Sequence, residues 1–366
     1  MSPFARRSLL AAGFAAALAV RLGLLLSFPG NYDTESYDIV ASIAARGGDP
    51  YAETTRYNYS PVWARVLAGI GSLASATGIP PMLLIGLLLL AGDVATAVLI
   101  YRMARGRTGR LAPELAALAF FANPVSILIS SYHLQFDNLA ILLLLAAVAL
   151  VERAKELPAA LALAASLLVK HVTVLHPLLF RRRQGWRGLV PVVLPYVVFV
   201  ASFLPYAASW DRILDQVVMY RGLTAVYGFE SLLLASGAPP WVSVLLFAAA
   251  VGFALVRLQR VELTRACLLL YLVVLVFAPG FGRQYCVWPI ALGALVSGPG
   301  FLLFSGVAGA YLVAESMHPA GAMWLLPGWQ GPWWAAIFWL VWETRSRAAR
   351  PAAAGGDAVK ILATHP

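Results

Sequence analysis

Runs of 17 to 24 residues with almost no charge recur along this chain of 366 residues. A helix rises about 1.5 Å per residue, so each run is long enough to cross the roughly 30 Å hydrocarbon layer of a bilayer. Inside that layer every peptide group must find its partner within the protein, and a run of this kind does so as a helix. With 61% hydrophobic and only 12% charged residues, the charge is about half that of an average soluble domain. The chain therefore reads as an all-α polytopic membrane protein. Its two cysteines, Cys267 and Cys286, fall near opposite ends of one predicted span, too far apart for a disulfide.

A net charge of +10 brings nucleic acid to mind as a partner, but the placement of the basic residues excludes it. They stand in short blocks between apolar runs: Arg102, Arg105, Arg107 and Arg110; Arg181–Arg183 with Arg187; Arg257, Arg260 and Arg265. Such blocks mark cytoplasmic loops. The chain then divides into a first span at 8–28, read as uncleaved rather than as a signal peptide, and an extracytoplasmic loop at 29–80. Core spans at 81–206 follow, with a re-entrant piece at 157–180, a second external loop at 207–240, C-terminal spans at 241–341 and a cytoplasmic tail at 342–366. That amounts to about 10–12 spans, short broken helices included. No internal repeat shows, and no segment is long enough for an attached soluble domain.

Residues 157–180 do not fit a straight span. Both flanks carry cytoplasmic charge, so the chain must leave and return, yet two dozen helical residues rise only about 36 Å. Two short helices, Leu157–Val169 and Val172–Phe180, meeting within the membrane at Lys170 and His171, satisfy the constraint. A broken helix at that depth is tolerated where it lines a cavity or packs in protein. The alternative is one straight helix that leaves Arg181–Arg183 outside. In the first loop, Thr34–Arg46 reads as an amphipathic helix stopped by Gly47-Gly48. Pro61 biases Ser60 away from helix, and Val62–Thr77 reads as a second interfacial helix.

Polar residues gather in two knots, Asn31–Asp38 (NYDTESYD) and Ser131–Asn138 (SYHLQFDN). The first follows one apolar run, and the second lies between two others. On this topology both knots share the outer face with Lys170. Moving a sugar from a phosphate leaving group to a hydroxyl needs a carboxylate base, cations for the departing phosphate and an apolar groove for a lipid carrier. Asp33 and Glu35 supply carboxylates. Lys170 supplies a cation, since an ionisable residue at membrane depth is costly without a role. Each also has an ordinary reading: Asp33 as a helix N-cap, Lys170 as a snorkelling side chain, Asp137 as the cap of the fourth span. His133 reads equally as an interfacial histidine, and Arg221 and Arg283 as headgroup anchors. No nucleotide-binding glycine loop, zinc-spaced His/Cys set or nucleophile elbow appears, which points to a lipid-linked rather than a nucleotide-linked donor.

SYHLQFDNLAILLLL, followed some thirty residues on by LLVKHVTVLHPLLF, resembles the glycosyltransferase 57 family. These are the dolichyl-phosphate-glucose-dependent glucosyltransferases of the GT-C superfamily, with the pattern H-F-Q-Y/F-N, a leucine-rich helix and K-H or K-Q. NYDTESYDIV followed by YNYSP is similar to the family's D-Y-E run and Y-P-P. DRILDQVVMYRGL is similar to its R-x-F-P-F-x-R-G-L segment, and GRQYCVWPIAL to a motif of bacterial GT-C mannosyltransferases. The resemblance implies a GT-C fold with a long first extracytoplasmic loop carrying interfacial helices. It implies an inverting enzyme of a bacterial inner membrane that moves glucose or mannose from a polyprenyl monophosphate to a lipid-linked or glycan acceptor. By motif, Asp33 would be the base, with Glu35 beside it; Lys170, His171, Arg221 and Arg283 would hold the donor phosphate. His133, Gln135, Asp137, Asn138 and Tyr59 would contact substrate. No cofactor is required, although Asp33 and Glu35 could hold a divalent metal. Asp137-Asn138 stands where the family has Tyr-Asn, Ser60-Pro61 replaces Pro-Pro, and the chain is shorter in its late helices. Two other classes stay open: a lipid-linked-sugar transporter or flippase, which predicts charge in mid-span and repeat symmetry, and a non-catalytic subunit of a glycan-assembly complex.

Overall fold

A computed structural model describes residues 2–106, 111–181, 186–220, 222, 224, 227–317 and 330–348, and these contain helices and turns but no strand ladder. The first helix, α1 (Pro3–Leu26), starts at Ser2, whose Oγ accepts from the Ala5 N–H. After it come α2 (Tyr32–Ala45), the single turn α3 (Pro50–Glu53) and α4 (Pro61–Thr77). Asn31, not Asp33, caps α2. Its side chain accepts from the Thr34 N–H while the Thr34 hydroxyl accepts from the Asn31 N–H, both at 2.9 Å. This reciprocal pair satisfies two of the donors that a helix start leaves open. The helix thus begins two residues before the expected start, and the Asp33 carboxylate is left for other contacts. At α4, Ser60 is the cap and Pro61 takes the first helical position, where its missing N–H costs nothing. α2 packs along α4, and the Trp63 ring stacks on Phe136 with centroids 3.9 Å apart.

The next span, α5 (Pro81–Arg105), is unbroken. α6 (Pro113–Phe121) is followed by α7 (Pro124–Ile127), which continues as a wider turn to Tyr132, and the two pieces are bent by 46°. Pro124 has no N–H and disfavours helical geometry in the residue before it. Asn123 uses the break to cap α7, accepting from the Val125 N–H at 3.0 Å. Within the core spans expected at 81–206, this stretch is therefore kinked rather than straight. Two apolar helices, α8 (Asp137–Val151) and α9 (Glu156–Val169), pack on each other. α9 ends at Lys170, whose backbone is extended at φ −157°, ψ 126°, so the chain breaks where the length argument requires. The second arm is not a helix over Val172–Phe180 but the 3-10 turns His171–Thr173 and His176–Leu179. Val172, Thr173 and Val174 are β-branched and Pro177 cannot continue a helix, which accounts for the difference.

The remainder comprises α10 (Val190–Ala201), α11 (Trp210–Ile213), α12 (Gly228–Ala235), α13 (Pro240–Leu258), α14 (Leu263–Phe277), α15 (Ile290–Val296), α16 (Pro299–Met317) and α17 (Gly331–Ala348). Among the described residues, four helices are long and apolar enough to cross a membrane: α1 over Phe4–Leu26, α5, α13 and α16. Two bent pairs, α6 with Pro124–Tyr132 and α10 with Leu204–Val218, raise the number to six. α8, α9 and α14 are apolar but shorter. The fold class is as the composition demands, while the 10–12 spans resolve into fewer full-length crossings. Within the C-terminal spans expected at 241–341, for example, α15 has only 7 residues and rises only about 10 Å. Cys267 lies in α14 and Cys286 in the 3-10 turn Arg283–Val287, on separate elements rather than at two ends of one span. Both are buried and free.

Candidate functional site

Ties between α2 and the loop before α8 build the site. Leu134 holds φ 51°, a left-handed conformation that costs a non-glycine residue about 1–2 kcal/mol. Its carbonyl accepts from the Tyr37 hydroxyl at 3.2 Å, and the His133 carbonyl accepts from the Asn31 side-chain amide at 3.2 Å. Residues 133–136 are thereby fastened to the start of α2, which brings the two polar knots together.

From that anchorage a continuous chain of contacts runs inward. The Gln135 amide donates to Asp33 Oδ2 at 2.6 Å, and its oxygen accepts from Lys170 Nζ at 3.2 Å. Lys170 Nζ also lies 2.5 Å from Asp137 Oδ2, and the Trp288 indole N–H donates to Asp137 Oδ1 at 2.7 Å. The ammonium stands 4.6 Å from the ring centre of Phe136 and 5.1 Å from that of Tyr59. The Lys170 and Asp137 side chains are only 4% and 0% exposed. Two charges so deeply buried persist because each neutralises the other and their remaining hydrogen-bonding capacity is used. Burial pushes the Asp33 carboxyl above its ordinary range, against the pull of Lys170 and Arg283. Burial likewise lowers His133 to about 3, with the Arg283 charge adding to the effect, so its ring is neutral.

Other candidates are placed differently. Glu35 turns away from Asp33: it is 68% exposed and pairs with Arg56 at 3.2 Å. Residues two apart on a helix point to nearly opposite faces, so Asp33 and Glu35 do not converge as joint catalytic carboxylates or as a metal pair. Arg283 pairs with Glu315 at 3.0 Å and keeps about a third of its side chain exposed. Asn138 belongs to another network, donating to Asp93 Oδ1 at 2.7 Å. Arg221 lies outside the described residues. His171 follows Lys170 into a cavity of about 520 Å³ bounded by the broken α9, α10, the Leu214–Tyr220 segment, α13, α14 and the turn at Arg283–Val287. The cavity is polar near Lys170, His171, Asn58 and Gln284, and apolar along Phe199, Val217, Phe247 and Val274. His171 Nδ1 and His176 Nδ1 are buried without a hydrogen-bond partner among the described residues, and both residues line it.

Sequence reasoning passed over a second buried network. Arg21 of α1 reaches Asp93 of α5 at 2.5 Å, Ser126 and Ser130 at 2.9 Å each, and the Phe121 carbonyl from Nε at 3.1 Å and Nη2 at 2.9 Å. Arg21 and Asp93 are wholly buried. The signal was present: each is a lone charge inside an apolar helix, where an ionisable residue always needs a partner.

The family model of the GPI transamidase subunit PIG-U matches residues 18–237, more than half of the chain, from α1 through α12 and including Asp33, Gln135, Asp137 and Lys170. No curated protein and no solved structure matches. This match overturns the expectation of a hexosyltransferase, because the family is named for a subunit of a transamidase and not for a glycosyltransferase. It lends no support to the glycosyltransferase 57 assignment or to a bacterial inner membrane. The geometry agrees with the correction, since the lysine expected to meet a donor phosphate is already neutralised by Asp137. This integral-membrane, all-helical chain belongs to the GPI transamidase subunit PIG-U family.

Proposed function

We propose that the chain is a non-catalytic subunit of a membrane complex of the GPI transamidase kind, and that its part is to hold the lipid-linked glycan rather than to make or break a bond. One observation carries the reading: the chain of contacts from Asp33 through Gln135, Lys170 and Asp137 to Trp288, set at the polar end of the 520 Å³ cavity. A cation that stabilises a leaving group must keep charge to spare as the transition state forms. Lys170 keeps none, because an internal carboxylate holds it at 2.5 Å. What the cavity beside it offers instead is polar groups, among them His171 Nδ1 and His176 Nδ1 without a partner among the described residues, next to an apolar wall, the pattern of a site that binds an amphiphile in one orientation. The polar portion lies toward Asn58, Lys170 and His171, and the hydrocarbon toward Phe199, Phe247 and Val274.

The test is purification of the tagged chain from its own membranes in mild detergent. The expected result is a complex of fixed stoichiometry whose transamidase activity is lost on depletion of this chain and restored when it is added back. A photoreactive glycosylphosphatidylinositol should crosslink to residues 170–176 of the complex. A chain that purifies alone and takes up no glycolipid label would overturn the proposal.

A further inference from the structure

A second groove, of about 480 Å³, lies between α1, α5 and α6. It takes no part in the site described above. Phe14 and Leu18 of α1, Val94, Val98 and Tyr101 of α5 and Phe121 of α6 make its walls, which are almost wholly apolar. One end is different. Glu114 lies at that mouth and pairs with Arg6 at 3.6 Å, both side chains about half exposed. The Arg105 guanidinium sits 5.7 Å from the ring centre of Tyr101. Arg7, Arg102 and Arg105 are exposed on the same ends of α1 and α5. With Glu114 matched by Arg6, the rim carries a surplus of positive charge.

We propose that this groove binds one anionic phospholipid of the bilayer, its acyl chain along the apolar walls and its phosphate among the arginines at the rim. The dimensions of the groove match one leaflet of a bilayer. The part of α5 from Val94 to Arg105 rises about 16 Å, half the roughly 30 Å hydrocarbon layer, so groove and rim match a single leaflet. Charge selects the headgroup. Positive-inside arginines are ordinary at span ends, but here Arg105 and Arg6 reach the lining residues Tyr101 and Glu114 of a groove that a hydrocarbon chain fits. A basic pocket between membrane helices prefers a phospholipid with net negative charge to a zwitterionic one.

Native mass spectrometry of the full chain in mild detergent tests this, by titration with phosphatidylglycerol and with phosphatidylcholine of identical acyl chains. Wild type should bind one phosphatidylglycerol at least about tenfold more tightly than phosphatidylcholine, since each arginine near a headgroup contributes about a fivefold preference. Arg102→Gln/Arg105→Gln should bring the two lipids to equal affinity. Val98→Trp should abolish tight binding of both, because Val98 lines the groove and is 45% exposed, so a larger ring fills the space without entering the core. Circular dichroism and thermal midpoints equal to wild type show that both variants fold. Equal binding of the two lipids by wild type, or a preference untouched by either variant, would overturn the proposal. So would release of a co-purifying protein, in place of lipid, by Val98→Trp.

Discussion

Lys170 and Asp137 show how a charge is kept inside a membrane protein. Each is costly alone and tolerated together, and Gln135 and Trp288 complete their hydrogen bonding. Removing one partner leaves the other buried and uncompensated, a loss of about 3–5 kcal/mol, whereas removing both costs much less. Lys170→Met and Asp137→Asn should therefore each lower the thermal midpoint of the purified protein sharply, and the double variant should recover most of the loss. Glu35→Gln, at an exposed position, should stay within about 0.5 kcal/mol of wild type. Additive losses in the double variant would show that the two side chains act separately. At this scale the sequence made Asp33, Gln135, Asp137 and Lys170 legible as one group, because the expected topology brings both polar knots and Lys170 to one face and the family resemblance names the same residues. It did not separate Asp33 from Glu35. That distinction depends on where α2 starts, and the Asn31–Thr34 capping pair decides it.

Between elements, Arg21 does for the kinked α6–α7 span what Lys170 does for the broken α9. The break at Asn123–Pro124 frees the carbonyl of Phe121, a group that a continuous helix would satisfy, and the Arg21 guanidinium accepts this duty while binding Asp93 and three serines. The same Asp93 holds Asn138, next to Asp137, so the packing of α1 bears on the position of the site. Meeting several acceptors in fixed directions calls for the planar fork of arginine, and an ammonium carries the same charge without the geometry. Arg21→Lys should lose thermal stability through its missing hydrogen bonds, and Arg21→Gln should lose more, because it also leaves the buried Asp93 uncompensated. Full recovery by lysine would show that charge alone matters there. The break at Lys170 was legible because 24 residues cannot cross twice. The break at Pro124 was not read, although an Asn-Pro pair announces it, because an apolar run that long also satisfies a straight crossing. Arg21 and Asp93 went unread for a related reason: chemistry was sought at the ends of spans, and their partnership joins residues 72 apart.

For the molecule as a whole, orientation in the membrane governs both binding proposals. The basic blocks predict a cytoplasmic Arg105 end for α5, with the first loop and the Asp33–Lys170 group expected on the far side. Helix lengths support alternation only where spans are complete, and α15 and the broken α9 are not complete spans, so sidedness calls for its own measurement. The two native cysteines are fully buried and should be silent to a membrane-impermeant maleimide. Tyr32 is 65% exposed beside the site, and Arg105 is exposed at the opposite end. In sealed vesicles with the extracytoplasmic face outward, the reagent should label the Tyr32→Cys chain at once and the Arg105→Cys chain only after permeabilisation. The reverse pattern would put the Asp33–Lys170 group in the cytoplasm and move the arginine-rimmed groove to the other leaflet. Labelling of both before permeabilisation would mean that α5 does not cross, and the division of the chain into loops and spans would fail with it.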